Sequence, residues 1–416
     1  MHLPKEFIDY TSALFGPVRW QAFLRSFEQE EPVSVRFNPW KYHKTNSFTG
    51  HALTAVPWCR NAYWLKERPR FTLDPLFHSG VYYVQEAGSL FLDHVLRHIL
   101  TDPVSALDLC AAPGGKSTLM RAALPDGSCM ISNEIDRRRA NILLENILKQ
   151  GHPDVLVTHN APKDFATTSL YFDLILADVP CSGEGLFRKD PKAMQEWSVQ
   201  NVRFCQERQR QILRDIWPCL RKGGILIYST CTFNLQENEE NVRWLQEEMD
   251  TEILPIPTEE KWNITGSLLA GWNCPVYRFI PGVNQSEGLF MAVLRKKGGK
   301  QEFATLPTSL RTQTQKFRLI HLLSDGIAKP EPKGKEFVPS VAQALSITTA
   351  PESFPRVELS LEQAQRYLHR ESLILPQNTP LGYVLLTYQQ CPLGFAKNLG
   401  TRANNLYPKP WSILKL

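Results

Sequence analysis

Between residues 106 and 229 short apolar runs alternate with longer amphipathic stretches, and few folds accommodate that rhythm. Ala106–Cys110, Cys129–Asn133, Val155–Thr158, Asp173–Asp178 and Ile225–Ser229 read as strands. Ser117–Leu124, Arg137–Gln150 and Val199–Leu220 read as helices between them. Parallel neighbours need a long crossover and a helix supplies it, so the pattern predicts βαβ units. A last apolar run, Leu289–Leu294, closes the region. The expected core is α/β, with a doubly wound, mostly parallel sheet.

A chain of 416 residues exceeds one such core. Residues 1–72 form a small α+β segment, with a helical pattern over Phe7–Phe27 and an extended Pro32–Pro39. From Val81 to Leu100 apolar residues recur at helical spacing. Residues 73–297 hold the core, and 298–340, rich in Lys, Gly and Pro, read as a linker region. Order returns in 341–416, with a helix over Leu359–Arg370 and a strand over Tyr383–Leu386.

Composition narrows the classes. A chain 43% hydrophobic and 21% charged is neither disordered nor a rod. It lacks an apolar run of membrane-spanning length, and its N-terminus lacks the pattern of a secretory signal. Nine cysteines without a C-x-x-C pair argue against a disulfide framework or a zinc site, and fit reduced cytosolic thiols. No metal and no membrane partner are expected, and a cytoplasmic location is. Basic and acidic residues balance over the first 300 positions, whereas 301–416 carry 13 against 8. Residues 372–416 contain no Asp or Glu, a hint of a polyanionic partner.

Two constellations carry chemistry. In Leu107-Asp108-Leu109-Cys110-Ala111-Ala112-Pro113-Gly114-Gly115-Lys116-Ser117-Thr118 a phosphate loop would need glycine where Cys110 stands, so that reading fails. A cofactor turn remains, its glycines letting backbone approach a ligand at the carboxyl edge of the sheet. Glu134 ends the next strand, where a carboxylate usually takes a ribose diol. The second constellation is Asp178-Val179-Pro180-Cys181 at the end of one strand and Ser229-Thr230-Cys231 at the end of another. If the strands are parallel neighbours, both thiols face one crevice. Methylation of a pyrimidine at carbon 5 would need such a set. A thiolate adding to carbon 6 makes carbon 5 nucleophilic, an acid such as Asp178 relieves charge at N3, and a second thiol assists release.

These motifs resemble those of the RNA cytosine-C5 methyltransferases of the NOL1/NOP2/Sun family. The resemblance is strong over Phe77–Lys296. It is carried by Cys110–Thr118, by Asp178–Pro191 with Phe187-Arg188-Lys189-Asp190-Pro191, and by Ser229–Asn241 with Glu237-Asn238-Glu239-Glu240-Asn241. The family implies a class I (Rossmann-like) methyltransferase core and S-adenosylmethionine as cofactor. Cys110, Ala111, Ala112, Pro113, Gly114, Gly115 and Lys116 would wrap it, Glu134 would hold its ribose, and Asp178 would lie between it and the base. The family places the nucleophile at Cys231 and the releasing thiol at Cys181. Lys116 joins them and Asp178 as a catalytic residue. Asn160 stands where the family usually has an acid for the adenine amino group, so a weaker grip is expected.

Val35-Arg36-Phe37-Asn38-Pro39 looks like the family's N-terminal RNA-binding segment. Leu393–Lys397 and Asn404–Pro408 look like the PUA-like RNA-binding tail of a branch that modifies 16S rRNA. The expected partner is therefore 16S rRNA or the small ribosomal subunit, with a target cytosine flipped from its stack. Arg36, Arg188 and Lys189 are expected on RNA, whereas Trp197 and the early aromatics read first as core and only secondly as stacking platforms. A monomer is expected. The same chemistry on tRNA, and a non-catalytic assembly factor, are the competing readings.

Overall fold

The computed structural model describes residues 3–43, 53–168, 170–298, 320–334, 336–348 and 354–414. The first helix, Lys5–Ser26, is interrupted at Gly16, whose φ of 70° precedes Pro17. A four-stranded antiparallel sheet follows, from β1 (Val33–Phe37), β2 (Leu53–Ala55), β3 (Ala62–Leu65) and β4 (Tyr82–Val84), in the order β2-β3-β1-β4. The N-terminal unit thus reaches past residue 72. Tyr82–Val84 were expected to open a helix, but they pair with Val35–Phe37. Aromatic and β-branched side chains suit a pleated surface, and the helix waits until Phe91–Ile99.

The main sheet contains β5 (Ser105–Asp108), β6 (Cys129–Asn133), β7 (Val155–Thr158), β8 (Phe172–Asp178), β9 (Leu220–Thr230), β10 (Thr251–Ile253), β11 (Tyr277–Phe279), β12 (Leu289–Lys296) and β13 (Leu322–Ser324). Its order is β10-β12-β9-β8-β5-β6-β7-β13, with β11 beside β12. β5 to β9 run parallel, and β12 returns antiparallel on β9. Both faces are covered. Ala106, Met130, Leu174 and Ile227 belong to one apolar layer, and their neighbours Leu107, Ile131, Ile175 and Tyr228 to the other. That period of two is what a doubly covered parallel sheet requires.

About half of the expected linker, 299–319, lies outside the described residues. Leu322–Ser324 are no linker, because they pair antiparallel with β7 and extend the main sheet. Beyond a hairpin of β14 (Glu331–Lys333) and β15 (Glu336–Val338), the C-terminal module is a four-stranded sheet. Its strands are β16 (Arg356–Glu358), β17 (Gly382–Tyr388), β18 (Cys391–Asn398) and β19 (Ala403–Asn405), with β16 parallel to β17 and the rest antiparallel. The helix Leu361–Leu368 packs on it. The module sits against the N-terminal unit. Tyr407 Oη lies 3.2 Å from His78 Nδ1, and Gln365 Nε2 donates to Leu73 O at 2.9 Å. Among the described residues no helix is long and apolar enough to cross a membrane.

Candidate active site

The carboxyl ends of β5, β6 and β7 form the first half of the site. β5 ends on Asp108 and the chain turns through Cys110–Gly114 into the helix Gly115–Ala123. Gly114 caps that helix at a φ of 114°, and a Cβ there would meet Asn146 Cβ at 3.2 Å, so glycine is required. The helix has no side-chain cap, so its first N–H groups remain for a ligand. Asn146 Nδ2 donates to Pro113 O at 2.8 Å and Arg139 to Ala112 O at 2.9 Å, which pin the turn.

Two carboxylates converge on this turn with an oxygen each to spare. Glu134 is 2% exposed. Its Oε1 accepts from Asp136 N at 3.0 Å, while Oε2 takes no hydrogen bond and lies 3.4 Å from Arg139. Asp108 is fully buried, accepts from Ser117 Oγ at 2.5 Å, and leaves Oδ1 without a partner. Burial pushes its pKa up to about 7. Unmatched buried acceptors beside free helix N–H groups are what a bound polyhydroxyl, cationic ligand would satisfy. Asn160 is placed differently from the expectation. Its Oδ1 accepts from the backbone N–H of His321, just before β13, at 3.1 Å. That bond ties the loop after β7 to the edge strand and uses one of the two lone pairs of the oxygen.

The second half lies over β8 and β9, paired in parallel with Asp178 opposite Ser229. The two loops beyond them bring Cys181 Sγ and Cys231 Sγ to 3.1 Å, both as free cysteines. Asp178 accepts from Lys116 Nζ at 2.9 Å and from Ser229 Oγ at 2.7 Å. Burial works against the Lys116 charge, but the Asp178 carboxylate more than offsets it, so the ammonium is held above its ordinary pKa. The hydrogen bond to Cys231, helped by burial, keeps the Cys181 proton on its sulfur.

Beneath the thiols two buried carboxylates cross between the loops. Glu184 Oε2 accepts from the backbone N–H groups of Phe233 and Asn234 at 2.5 and 3.1 Å. Glu237 Oε2 accepts from Ser182 N at 3.0 Å and Gln209 Nε2 at 2.7 Å. Asn234 Nδ2 donates to Oε1 of both, at 3.0 and 2.8 Å. Burial, then the nearby Glu184, pushes Glu237 up to about 7. The first helix packs on the same loops. Phe7 stands 5.0 Å from Phe187 and 5.5 Å from Trp197 between ring centroids, and Phe15 5.8 Å from Phe233.

Several residues expected on RNA turn out to be structural. Arg36 is 4% exposed and spends its guanidinium on Gln85 at 3.2 Å and Thr118 at 2.7 Å, locking β1 to the helix Gly115–Ala123. Arg188 forms a buried ion pair with Glu287 at 2.7 Å and also donates to Gln29 O. Trp197 is buried, donates to Glu184 at 2.9 Å, and offers no stacking face. Lys189, by contrast, is exposed. Sequence reasoning missed Ser229, Glu184, Asp108 and Arg139. It quoted Glu237 within a motif without giving it a task. Among the described residues no group of three or more His, Cys, Asp or Glu is placed to hold a metal.

A doubly wound sheet with a glycine cradle over its first strands and two thiols over the next defines a class I methyltransferase. Residues 100–295 match the family of 16S rRNA methyltransferase RsmB/F. Residues 3–87 match the N-terminal domain of 16S rRNA methyltransferase RsmF, and 354–413 the RsmF PUA domain. The ribosomal RNA small subunit methyltransferase F of Citrobacter koseri is 30% identical over 98% of this chain and 96% of its own length. That of Pectobacterium atrosepticum is 34% identical over 71% of this chain and 63% of its own. A crystal structure of a methyltransferase homolog from Pyrococcus horikoshii superposes with a TM-score of 0.61 at 27% identity, covering 70% of this chain and 95% of that one. The chain belongs to the ribosomal RNA small subunit methyltransferase F (RsmF) family.

Proposed function

We propose that the chain methylates carbon 5 of a cytosine in 16S rRNA of the small ribosomal subunit, with S-adenosylmethionine as methyl donor. The observation that carries this reading is the meeting of the Cys181 and Cys231 sulfurs at 3.1 Å, beside a Lys116–Asp178 pair at 2.9 Å. A protein that only bound RNA would have no use for that arrangement. The unmatched oxygens of Glu134 and Asp108 fit the cofactor, which Cys110–Lys116, Glu134 and Asp178 would hold. Asn160 contributes less, since His321 already uses its oxygen. When bound, S-adenosylmethionine supplies an electrophilic methyl group.

The side chains divide the remaining work. In keeping with the family resemblance, Cys231 is the attacking sulfur and Cys181, 3.1 Å away, the releasing one. Cys231 gives its thiol proton to solvent and its thiolate forms the S–C6 bond, while the C5–C6 π electrons move to carbon 5 and toward N3. Lys116, in contact with Asp178, lets that pair meet the charge at N3 with a proton or a hydrogen bond. After methylation Cys181 gives its own thiol proton to solvent and, as the thiolate, takes the C5 proton. The C5–H electrons become the C5–C6 double bond, and the S–C6 pair returns to Cys231. RNA reaches the crevice past exposed Lys189, with the PUA-like module as a second anchor. One chain supplies every group named, so a monomer suffices, working in the cytoplasm where ribosomal RNA is found.

The test is transfer of labelled methyl to naked 16S rRNA, small subunits and bulk tRNA. The expected result is 5-methylcytosine in a ribosomal sample, lost in Cys231→Ala, with a covalent RNA adduct trapped by Cys181→Ala. Label in tRNA alone would move the substrate, and RNA binding without label would leave an assembly factor.

A further inference from the structure

The crossed carboxylates Glu184 and Glu237 are 1% and 0% exposed, and their oxygens are taken up by donors of the two cysteine loops, Trp197 and Gln209. Each arises on one cysteine loop and is spent on the backbone of the other. Glu184, three residues beyond Cys181, holds the N–H groups of Phe233 and Asn234, just beyond Cys231. Glu237, in the helical approach beyond Cys231, holds the N–H of Ser182, adjacent to Cys181. Further ties run the same way, with Gly185 N donating to Cys231 O at 2.7 Å and Ser182 Oγ lying 3.1 Å from Thr232 Oγ1.

We infer that Glu237 is a positioning residue for product release, setting the place of the Cys181 thiol through the Ser182 N–H while Glu184 separately sets that of Cys231. This rests on the roles given above to the two cysteines. The argument is one of donors and acceptors. Every side-chain contact of Glu237 is a donor pointing at it: Ser182 N and Gln209 Nε2 on one oxygen, Asn234 Nδ2 on the other. A carboxylate accepts all three. An amide of the same shape accepts on one end only and sets its own N–H groups against donors on the other. Gln209 and Asn234 can rotate, but the Ser182 N–H is backbone and must move, carrying Cys181 with it. The hydrogen bonds that Glu184 accepts from Phe233 N and Asn234 N remain, so Cys231 keeps its place. Attack on carbon 6 then survives, whereas removal of the C5 proton, which needs Cys181 within reach, slows. A misplacement of about 1 Å at a reacting group costs on the order of 100-fold.

The experiment uses the full chain with labelled S-adenosylmethionine and 16S rRNA, read as turnover and as protein–RNA adduct on a denaturing gel. Wild type, Cys181→Ala, Glu237→Gln and Glu237→Asp are compared, with melting curves for each. The expected result is that Glu237→Gln loses roughly 10- to 100-fold in turnover while accumulating adduct as Cys181→Ala does. Glu237→Asp keeps the acceptors on a shorter stem, so it should recover part of the turnover and show less adduct. Turnover like wild type in Glu237→Gln overturns the inference. So does a folded Glu237→Gln or Glu237→Asp that loses adduct and turnover together while Cys181→Ala still traps RNA. If Cys181→Ala traps nothing, the assignment of the releasing thiol falls, and this inference with it.

Discussion

Over β5 to β7 the site draws its residues from one continuous stretch, 108–160, and leaves carboxylate oxygens on Asp108 and Glu134 unmatched. Over β8 and β9 it draws on Tyr10 and the Phe7–Phe23 face of the first helix, on 178–209 and on 228–241. There each loop is cross-tied by hydrogen bonds to the other. The first half is local and open, so its residues answer chiefly to a ligand. The second is assembled from distant segments and satisfied without one, so its residues answer first to the fold. Substitutions on the two halves should therefore fail in different ways.

The largest effect belongs to the assembled half. Phe7→Ala removes a fully buried ring from the cluster on Phe187 and Trp197. It should cost about 3–5 kcal/mol in chemical denaturation and lower methyl transfer with it. Cofactor affinity measured below the transition should hold.

Next comes pH. Glu237 titrates at about 7 in the folded chain against an ordinary value of 4.5. Below 4.5 both states carry the proton and the group contributes no difference. Between 4.5 and 7 the unfolded chain releases it first, so stability falls as pH rises, by roughly 3 kcal/mol from this group. Asp108 and Glu287, also raised to about 7, add slopes of the same sign. Unfolding free energies measured from pH 4.5 to 8 should show the decline, and Glu237→Gln should remove one share of it.

On the open half, Glu134→Ala should weaken S-adenosylmethionine binding roughly 10- to 100-fold by calorimetry, since charge-assisted hydrogen bonds are lost. The melting temperature should fall less than in Phe7→Ala, because Glu134 gives up one hydrogen bond from Asp136 N and an ion pair with Arg139 rather than a core ring. Equal losses of stability in Phe7→Ala and Glu134→Ala would erase the distinction between the halves. The smallest effect is at the exposed rim. Lys189→Ala should leave stability intact and lower the slope of log affinity against log salt for single-stranded RNA by roughly 0.7.

The difference between the halves also explains what could be read from the chain alone. Strand positions, the glycine cradle, Glu134 and the adjacency of Cys181 and Cys231 follow from period, turn chemistry and the parallel sheet, which are local or topological. Arg36 and Arg188 were misread because a cation's sequence neighbours do not show that Gln85, Thr118 or Glu287 will cover it. Tyr82–Val84 and Leu322–Ser324 were misplaced because each gains its strand only by pairing with a distant one. The tie between Asn160 and His321 was hidden for the same reason, since its partner lies far along the chain.

The aromatic face of the first helix has a consequence for synthesis. Phe7, Phe15 and Phe23 leave the ribosome early, yet their partners Phe187, Trp197 and Phe233 come about 180 residues or more later. At roughly 5–20 residues per second the nascent chain carries that oily face uncovered for on the order of ten seconds or more. The crevice takes shape only when the sheet behind it is complete, so the thiols acquire their geometry late, once most of the chain has emerged.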